Sequence, residues 1–331
     1  MPISIRPADT RDIRAMIPLL LQDAAAREAR NNQLWAVDPQ AAARLDATLT
    51  ATLQNETPAF RQHWLIAEDA GRVVGLAHSI LLPVPPIYAG EFGPPGLIME
   101  DCCIAPGAPD GTLAVLVQAA QDDLVAAGAR VVIGASVPDG VFAAEYTARG
   151  YEPLTLYLTK SDLRRAAPQS DMRAAQAADV PQIVAASARH RQIIADLDDF
   201  WTTHPDADAR FGSWMHKSLT LQDRDMVVAE AEGQLEGYAI AQPASALHIP
   251  PAHDPAKIGF IDDYYHDDYA DPAVLEPDSA GASGLLAAAE GASAARGDVA
   301  ALVVCPAAWD SKVALLARNG YSVAQTWFIR R

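Results

Sequence analysis

The sequence predicts an α/β chain of the α+β kind, made of two tandem copies of one domain. Three ordered matches carry this reading. A hairpin unit, Leu65-Ile66-Ala67-Glu68 with Gly71, Val73, Gly75 and Ala77, returns as Val227-Val228-Ala229-Glu230 with Gly233, Leu235, Gly237 and Ala239. At the same spacing Glu100-Asp101 falls on Asp262-Asp263. An opening Ile5-Arg6-x-Ala8-x-x-x-Asp12 returns as Met172-Arg173-x-Ala175-x-x-x-Asp179, and a closing Gly150-Tyr151 returns as Gly320-Tyr321. A period of about 165 residues is too long for a solenoid repeat and fits two ordinary domains. The expected division is residues 1–160, a short linker over 161–170, and residues 171–331.

The elements follow in order. Residues 3–8 alternate like a strand. Asp9 or Thr10 can cap a helix over 11–30, and a second helix covers 39–54. Strands over 63–68 and 73–82 flank Asp69-Ala70-Gly71-Arg72, a hairpin signal. The Pro-rich segment 83–95 is a loop. A strand over 97–104 leads to an Ala/Val/Leu-rich helix over 112–127, ended by Gly128. A buried-type strand over 130–136, a short helix over 139–149 and a last strand over 152–160 complete the first copy. The second repeats the plan: strand 171–175, helices 179–197 and 206–220, strands 225–230, 235–242 and 257–265, helix 281–296, strand 299–305, helix 308–319 and strand 321–330.

The local motifs resemble the GNAT superfamily, the Gcn5-related N-acetyltransferases. The opening I-R-x-A, the hairpin V-A-E-x-x-G-x-x-V-G, the strand Ile98-Met99-Glu100-Asp101-Cys102-Cys103-Ile104-Ala105-Pro106 and the helix end Tyr146-Thr147-Ala148-Arg149-Gly150-Tyr151 are all similar to that family. The resemblance covers nearly all of both halves. It implies tandem domains, each a mixed, mostly antiparallel sheet flanked by helices. It also implies acetyl-CoA, or another acyl-CoA, as donor and a small-molecule or peptide amine as acceptor, cationic amines included.

By the same resemblance, backbone N–H groups after the fourth strand and at the next helix N-terminus hold the pyrophosphate. The matching residues are Cys103, Ile104, Gly111, Thr112, Leu113 and Ala114. The chain departs from the family signature here. Pro109 stands where Arg or Gln is usual, Asp110 adds an anion, and no basic residue lies between Ile104 and Gly128. In the second copy residues 257–278 hold seven acids and one base, Lys257, a field that repels a polyanion. The donor is therefore expected in the first half.

Amide formation needs a base for the amine proton and an acid for the leaving thiolate. The resemblance makes Tyr146 the acid. Glu100 leads as base, with Asp101 beside it facing the other way along the strand. Each can equally be structural: Tyr146 a core tyrosine, the carboxylates partners of backbone or arginine. The second copy has Leu316 at the tyrosine position, which cannot donate a proton. An alternative follows: a catalytically inactive tandem that binds a small ligand or a protein partner.

The set Asp262, His266, Asp267, Asp268 and Asp271 invites a metal, but its spacing matches no calcium loop and it offers one His and no Cys. A solvated acidic loop is the expectation, with no metal, and a patch for a cationic ligand is the alternative. Cys102 and Cys103 read as packing thiols. His190, His216 and the aromatic run Phe200-Trp201, His204, Phe211, Trp214 read as core and lid, or as the border of an acceptor cleft.

The formal charge is −17, which repels phosphodiester backbones and argues against nucleic acid. Three cysteines make no disulfide framework. The start Met-Pro-Ile-Ser-Ile-Arg lacks a basic-then-apolar signal, and no apolar run reaches the ~20 residues of a membrane span. A cytoplasmic monomer or homodimer is expected.

Overall fold

The computed structural model describes residues 3–55, 57–164, 171–275 and 279–331. The first half holds β1 (Ser4–Pro7), α1 (Ile13–Glu28), α2 (Ala41–Gln54), β2 (Gln62–Asp69), β3 (Arg72–Leu81), β4 (Gly96–Ile98), β5 (Cys103–Ile104), α3 (Thr112–Ala126), β6 (Val132–Ser136), α4 (Val141–Ala148) and β7 (Glu152–Ser161). The second holds β8 (Met172–Ala174), α5 (Val180–Leu197), α6 (Ala207–Ser218), β9 (Asp225–Ala231), β10 (Gln234–Pro243), β11 (Ile258–His266), α7 (Ala280–Arg296), β12 (Ala300–Pro306), α8 (Asp310–Arg318) and β13 (Ser322–Arg330). Of the linker expected over 161–170, residues 165–170 lie outside the described residues.

The repeated motifs have a shared physical job. Arg6 donates to both carboxylate oxygens of Asp12 at 2.8 Å and to Glu68 at 3.0 Å, and the Asp9 N–H bonds Asp12 at 2.8 Å. Arg173 does the same to Asp179, at 2.7 and 2.9 Å, and to Glu230 at 2.9 Å, while the Gln176 N–H bonds Asp179 at 2.7 Å. Each cluster ties the opening strand, the first helix start and the hairpin together. Asp12 and Asp179, rather than the expected Asp9 or Thr10, sit at the helix N-caps.

The fourth strand differs from the single expected strand over 97–104. It is interrupted at residues 99–102, leaving β4 paired to the end of β3 and β5 paired further back along it. Its counterpart β11 is unbroken but bulges: Ile240 pairs with Asp263 and Ala241 with Ile261, so Asp262 has no cross-strand partner. Both irregularities fall on the repeated acidic pair. A bulge re-aims side chains and bends the strand.

Among the described residues thirteen strands form one continuous sheet, in the order β1-β2-β3-β4-β6-β13-β7-β12-β11-β10-β9-β8 with β5 beside β3. The pairs β4–β6 and β11–β12 are parallel and the others antiparallel. The two last strands are exchanged. β13 pairs with β6 of the first half, and β7 pairs with β12 of the second. They pair with each other around Leu156↔Thr326, so that Thr155↔Trp327 mirrors Tyr157↔Gln325. The loops between third and fourth strands are exchanged as well. Residues 83–95 dock on the α5–α6 junction, through Ala89 N–H to Thr202 O at 2.7 Å and His204 N–H to Ile87 O at 3.0 Å. The loop from 244 to 257 docks on the α1–α2 junction, through Asp38 N–H to Ala252 O at 3.0 Å and Asp254 N–H to Ala36 O at 2.9 Å.

One buried cluster on the seam draws on both halves, among them Leu97, Ile133, Tyr157, Phe260, Leu302 and Trp327. At roughly 1.5–3 kcal/mol for each large apolar side chain removed from water, this shared core binds the halves into one unit.

Candidate functional site

β4 and β11 each diverge from their parallel neighbour at the acidic pair, and the two clefts are filled differently. In the first half Tyr146, from α4, lies over Gly134 on β6. A Cβ added to Gly134 would stand 2.4 Å from the tyrosine ring, so this position must be glycine. By strand register Val303 is the second-half counterpart of Gly134, where Leu316 replaces the tyrosine. The two halves exchange ring volume for side-chain volume at one spot. Tyr146 has no exposed surface, and its hydroxyl has no partner among the described residues. It packs on Phe142, Tyr151 and Phe328.

The other two first-half candidates stand in a different cluster. Asp101 accepts from His78 Nδ1 at 2.9 Å, and the His78 ring stacks on Trp64. The neighbouring Glu100 is 2 % exposed, and neither of its carboxylate oxygens has a partner among the described residues. Burial first, and the neighbouring Asp101 second, push its pKa up to about 7. Buried Arg27, paired with Asp23 at 2.8 Å, donates to the Glu100 backbone carbonyl. Asp101 is thus bound to His78, Glu100 is held through its backbone carbonyl alone, and Tyr146 packs apart from them on Tyr151. Cys102, Cys103 and Cys305 are buried and free.

The donor loop asked of the sequence is built differently in the two halves. α3 begins after Gly111 with φ +83°, no side chain caps it, and nothing lies within 4 Å of a Cβ added at Gly107 or Gly111. The first-turn N–H groups of a helix lack intrahelical acceptors; those of Leu113 and Ala114 have no acceptor among the described residues, while the Thr112 N–H bonds Pro109 O at 3.2 Å. Thr112 turns inward, its hydroxyl on Pro109 O at 2.6 Å. At the matching corner the second half carries its own anion. The Asp268 carboxylate accepts the Ala282 N–H of α7 at 2.9 Å, and a Cβ on Gly281 would collide with the His266 ring. The adjoining strand edge is occupied too. The carbonyl of Tyr264 accepts from Tyr269 Oη at 2.7 Å and from Lys312 Nζ at 2.8 Å.

The acidic residues of the second half therefore have separate tasks rather than one focus. Asp267 meets Arg189 and Tyr265, Asp268 caps α7, and Asp271 accepts the Ala273 N–H. No group of three or more His, Cys, Asp or Glu among the described residues is placed to hold a metal ion. No helix among them is long and apolar enough to cross a membrane.

The open volume lies on the other side of β11. A cavity of about 670 Å³ is bounded by α5, α6, β11 and β12 of the second half, the central strands β7 and β13, and the first-half loop from 82 to 95. Asp262 and Asp263 stand in its lining beside His190 and Lys312. Asp263 accepts from His190 Nδ1 at 3.2 Å. Burial opposes its ionisation, but the bond and charge of His190, with Lys312, outweigh burial and keep its pKa below the usual range. Burial and then Lys312 push the His190 pKa down, against the bond and charge of Asp263, which push it up. Asp262 has one hydrogen bond, from Gln242 Nε2 at 3.2 Å. Burial and then Asp263 raise its pKa to about 7. Burial likewise lowers the pKa of Lys312, whose ammonium lies over the Tyr264, Tyr269 and Trp309 rings.

Of the residues singled out in the sequence, His190, Phe200, Trp201, Phe211 and Trp214 line this cavity. His204 is held outside it by Arg210 and Asp206, and His216 is exposed. Sequence reasoning missed Lys312, Tyr157, Trp327 and the wall of residues 82–95. Tyr157 and Trp327 carried a signal, since they share the spacing of Gly150 and Gly320. Lys312 had none beyond being a lysine in an apolar helix.

Compared by sequence, the chain matches no protein-family model and no curated protein. Solved structures are similar in fold. A tandem GNAT protein from the clavulanic acid biosynthesis pathway is 15% identical, with a TM-score of 0.51 over 99% of this chain and 97% of that one. A GCN5-related N-acetyltransferase from Sphaerobacter thermophilus is 15% identical, with a TM-score of 0.59 over 99% and 94%. The glucosamine N-acetyltransferase region of a fungal multi-domain GH3 β-N-acetylglucosaminidase is 15% identical, with a TM-score of 0.53, and this chain covers 38% of that protein. With likenesses covering nearly all of this chain and of two solved GNAT structures, one of them a tandem GNAT protein, this chain has the tandem GNAT fold.

Proposed function

We propose that the protein is an acyl-CoA-dependent N-acyltransferase whose donor site is in the first half, with acetyl-CoA as the simplest donor and a small amine as acceptor. The observation that carries the reading is the asymmetry of the two helix corners. At the start of α3 there is open space beside Gly111, and the Leu113 and Ala114 N–H groups have no acceptor among the described residues, whereas the corner at α7 is filled by Asp268. Cys103 and Ile104 supply the strand next to the open corner.

In the reaction the amine nitrogen forms a bond to the thioester carbonyl carbon, the carbon–sulfur bond breaks, and the amine proton must leave. Glu100, with a pKa of about 7 and both oxygens unpartnered, suits a base working near neutrality. The Tyr146 hydroxyl, lacking any partner, is the group available to return a proton to the thiolate. Asp101 acts as a positioning residue through His78.

A second reading, a tandem that binds ligand without catalysis, is favoured by one observation: Tyr146 and Glu100 are both closed off from solvent. Thiol release from acetyl-CoA, followed across a panel of primary amines, separates the two. Amine-dependent release that Glu100→Gln abolishes supports transfer. Ligand binding with no release from any amine supports the second reading.

A further inference from the structure

We propose that the cavity of the second half is a separate binding site for a small monocationic amine with an aromatic or branched apolar body, its ammonium on Asp262. The site binds but does not acylate. The donor corner of the same half is taken by Asp268, and the adjoining strand edge by Tyr269 and Lys312. The inference is independent of whether acyl-CoA occupies the first half.

Charge balance comes first. Two carboxylates, Asp262 and Asp263, line the cavity with one ammonium, Lys312, and a histidine whose burial favours the neutral form. Lys312 acts on Asp263. Arg210, at the rim, is engaged by Pro86 O and Asp206. Arg224, outside the lining, is spread over the Trp214 ring, bonded to Ser218, and acts on Asp262 from there without a hydrogen bond to it among the described contacts. Asp262 is left with a single bond from a neutral amide. A buried carboxylate without a cation is costly, and one monocation completes the set.

Hydrogen-bonding capacity comes next. An ammonium carries three donors. Besides the Asp262 carboxylate, two lining residues carry buried acceptors without a partner among the described residues, Gln242 Oε1 and His190 Nε2, which a ligand reaches only if these side chains turn toward the cavity. With Nδ1 donating to Asp263, His190 presents Nε2 as an acceptor. His190 is 4 % exposed, so this acceptor is not an ordinary surface group.

The walls set the rest of the ligand. Trp201, Trp214, Phe260, Trp327 and Tyr157 supply ring faces, which attract a cation and its apolar body together. A volume of about 670 Å³ is in the range of small-molecule sites. A polycation is disfavoured, because a second ammonium would meet apolar walls or the Arg210 rim. An anion is disfavoured by the two carboxylates.

The test uses the full chain at about pH 8, where Asp262 is ionised and a primary alkylamine is still protonated. Tryptophan fluorescence reports binding, since Trp201, Trp214 and Trp327 line the cavity. The probes are 2-phenylethylamine, its neutral analogue 2-phenylethanol, and spermidine. The amine is expected to bind at least about tenfold tighter than the alcohol, and tighter than spermidine. Asp262→Asn should abolish that preference while leaving alcohol affinity intact. Trp214→Leu should weaken amine and alcohol together. Equal binding of amine and alcohol, binding of neither, tighter binding of spermidine, or a preference that survives Asp262→Asn would each overturn the proposal. So would affinities untouched by Trp214→Leu, which would place the probes elsewhere.

Discussion

Asp262→Asn should make the protein more stable near neutrality, and the gain should vanish in acid. The folded chain holds this carboxyl in a bulge, bonded only to Gln242, and burial raises its pKa from 3.8 to about 7. Each pKa step of one corresponds to ~1.4 kcal/mol, so the folded state bears a cost of ~4 kcal/mol once pH exceeds both values. Partial relaxation of a buried charge puts the expected effect at ~2–4 kcal/mol. The sign follows from proton binding. Below pH 3.8 both states are protonated and no cost exists. Between 3.8 and about 7 the unfolded chain has released the proton while the folded chain keeps it, so stability falls as pH rises. Above about 7 the full cost applies. Asparagine has the shape of the protonated acid and never ionises. Urea unfolding of wild type and variant at about pH 3.5 and about pH 8 should therefore show a difference near zero in acid and ~2–4 kcal/mol in favour of the variant at the higher pH. A pH-independent difference, or a variant less stable at about pH 8, would refute the burial of an uncompensated Asp262.

Tyr146→Phe removes a hydroxyl with no partner and should leave the melting temperature within ~2 °C, while lowering turnover by roughly 10–1,000-fold in steady-state kinetics. Leu316→Ala, at a fully buried position, should cost ~2–5 kcal/mol in urea unfolding and change turnover only through packing. Arg6→Ala should cost ~1 kcal/mol at about pH 7. Because Arg6 holds the Asp12 pKa below its usual value, that loss should shrink as pH falls through the folded-state pKa of Asp12. Gly111→Asp puts a side chain on a left-handed residue and a charge at the α3 corner, and should weaken acetyl-CoA at least about tenfold in calorimetric titration.

The element order was readable because hydrophobic period and turn residues act locally. The repeated Arg6, Asp12 and Glu68 were readable as a motif, and only the coordinates show that they form one ionic cluster. The strand exchange was not readable. β7 and β13 carry the same pattern, and nothing local decides which of β6 or β12 each one joins. The break at residues 99–102 was hidden because Leu97–Ile104 reads as one apolar run interrupted only by Glu100 and Asp101. Asp262 and Asp263 were noticed as shorter versions of Glu100 and Asp101, but the cavity beside them depends on a loop of the first half, brought there by tertiary pairing.

The division of labour between the halves is tested most directly by a crystal structure of the full chain grown with acetyl-CoA. One bound molecule is expected, its pyrophosphate on the backbone of Gly111–Ala114 and its pantetheine arm beside Cys103 and Ile104. Density for the donor at the start of α7, with Asp268 displaced from the Ala282 N–H, would contradict that assignment.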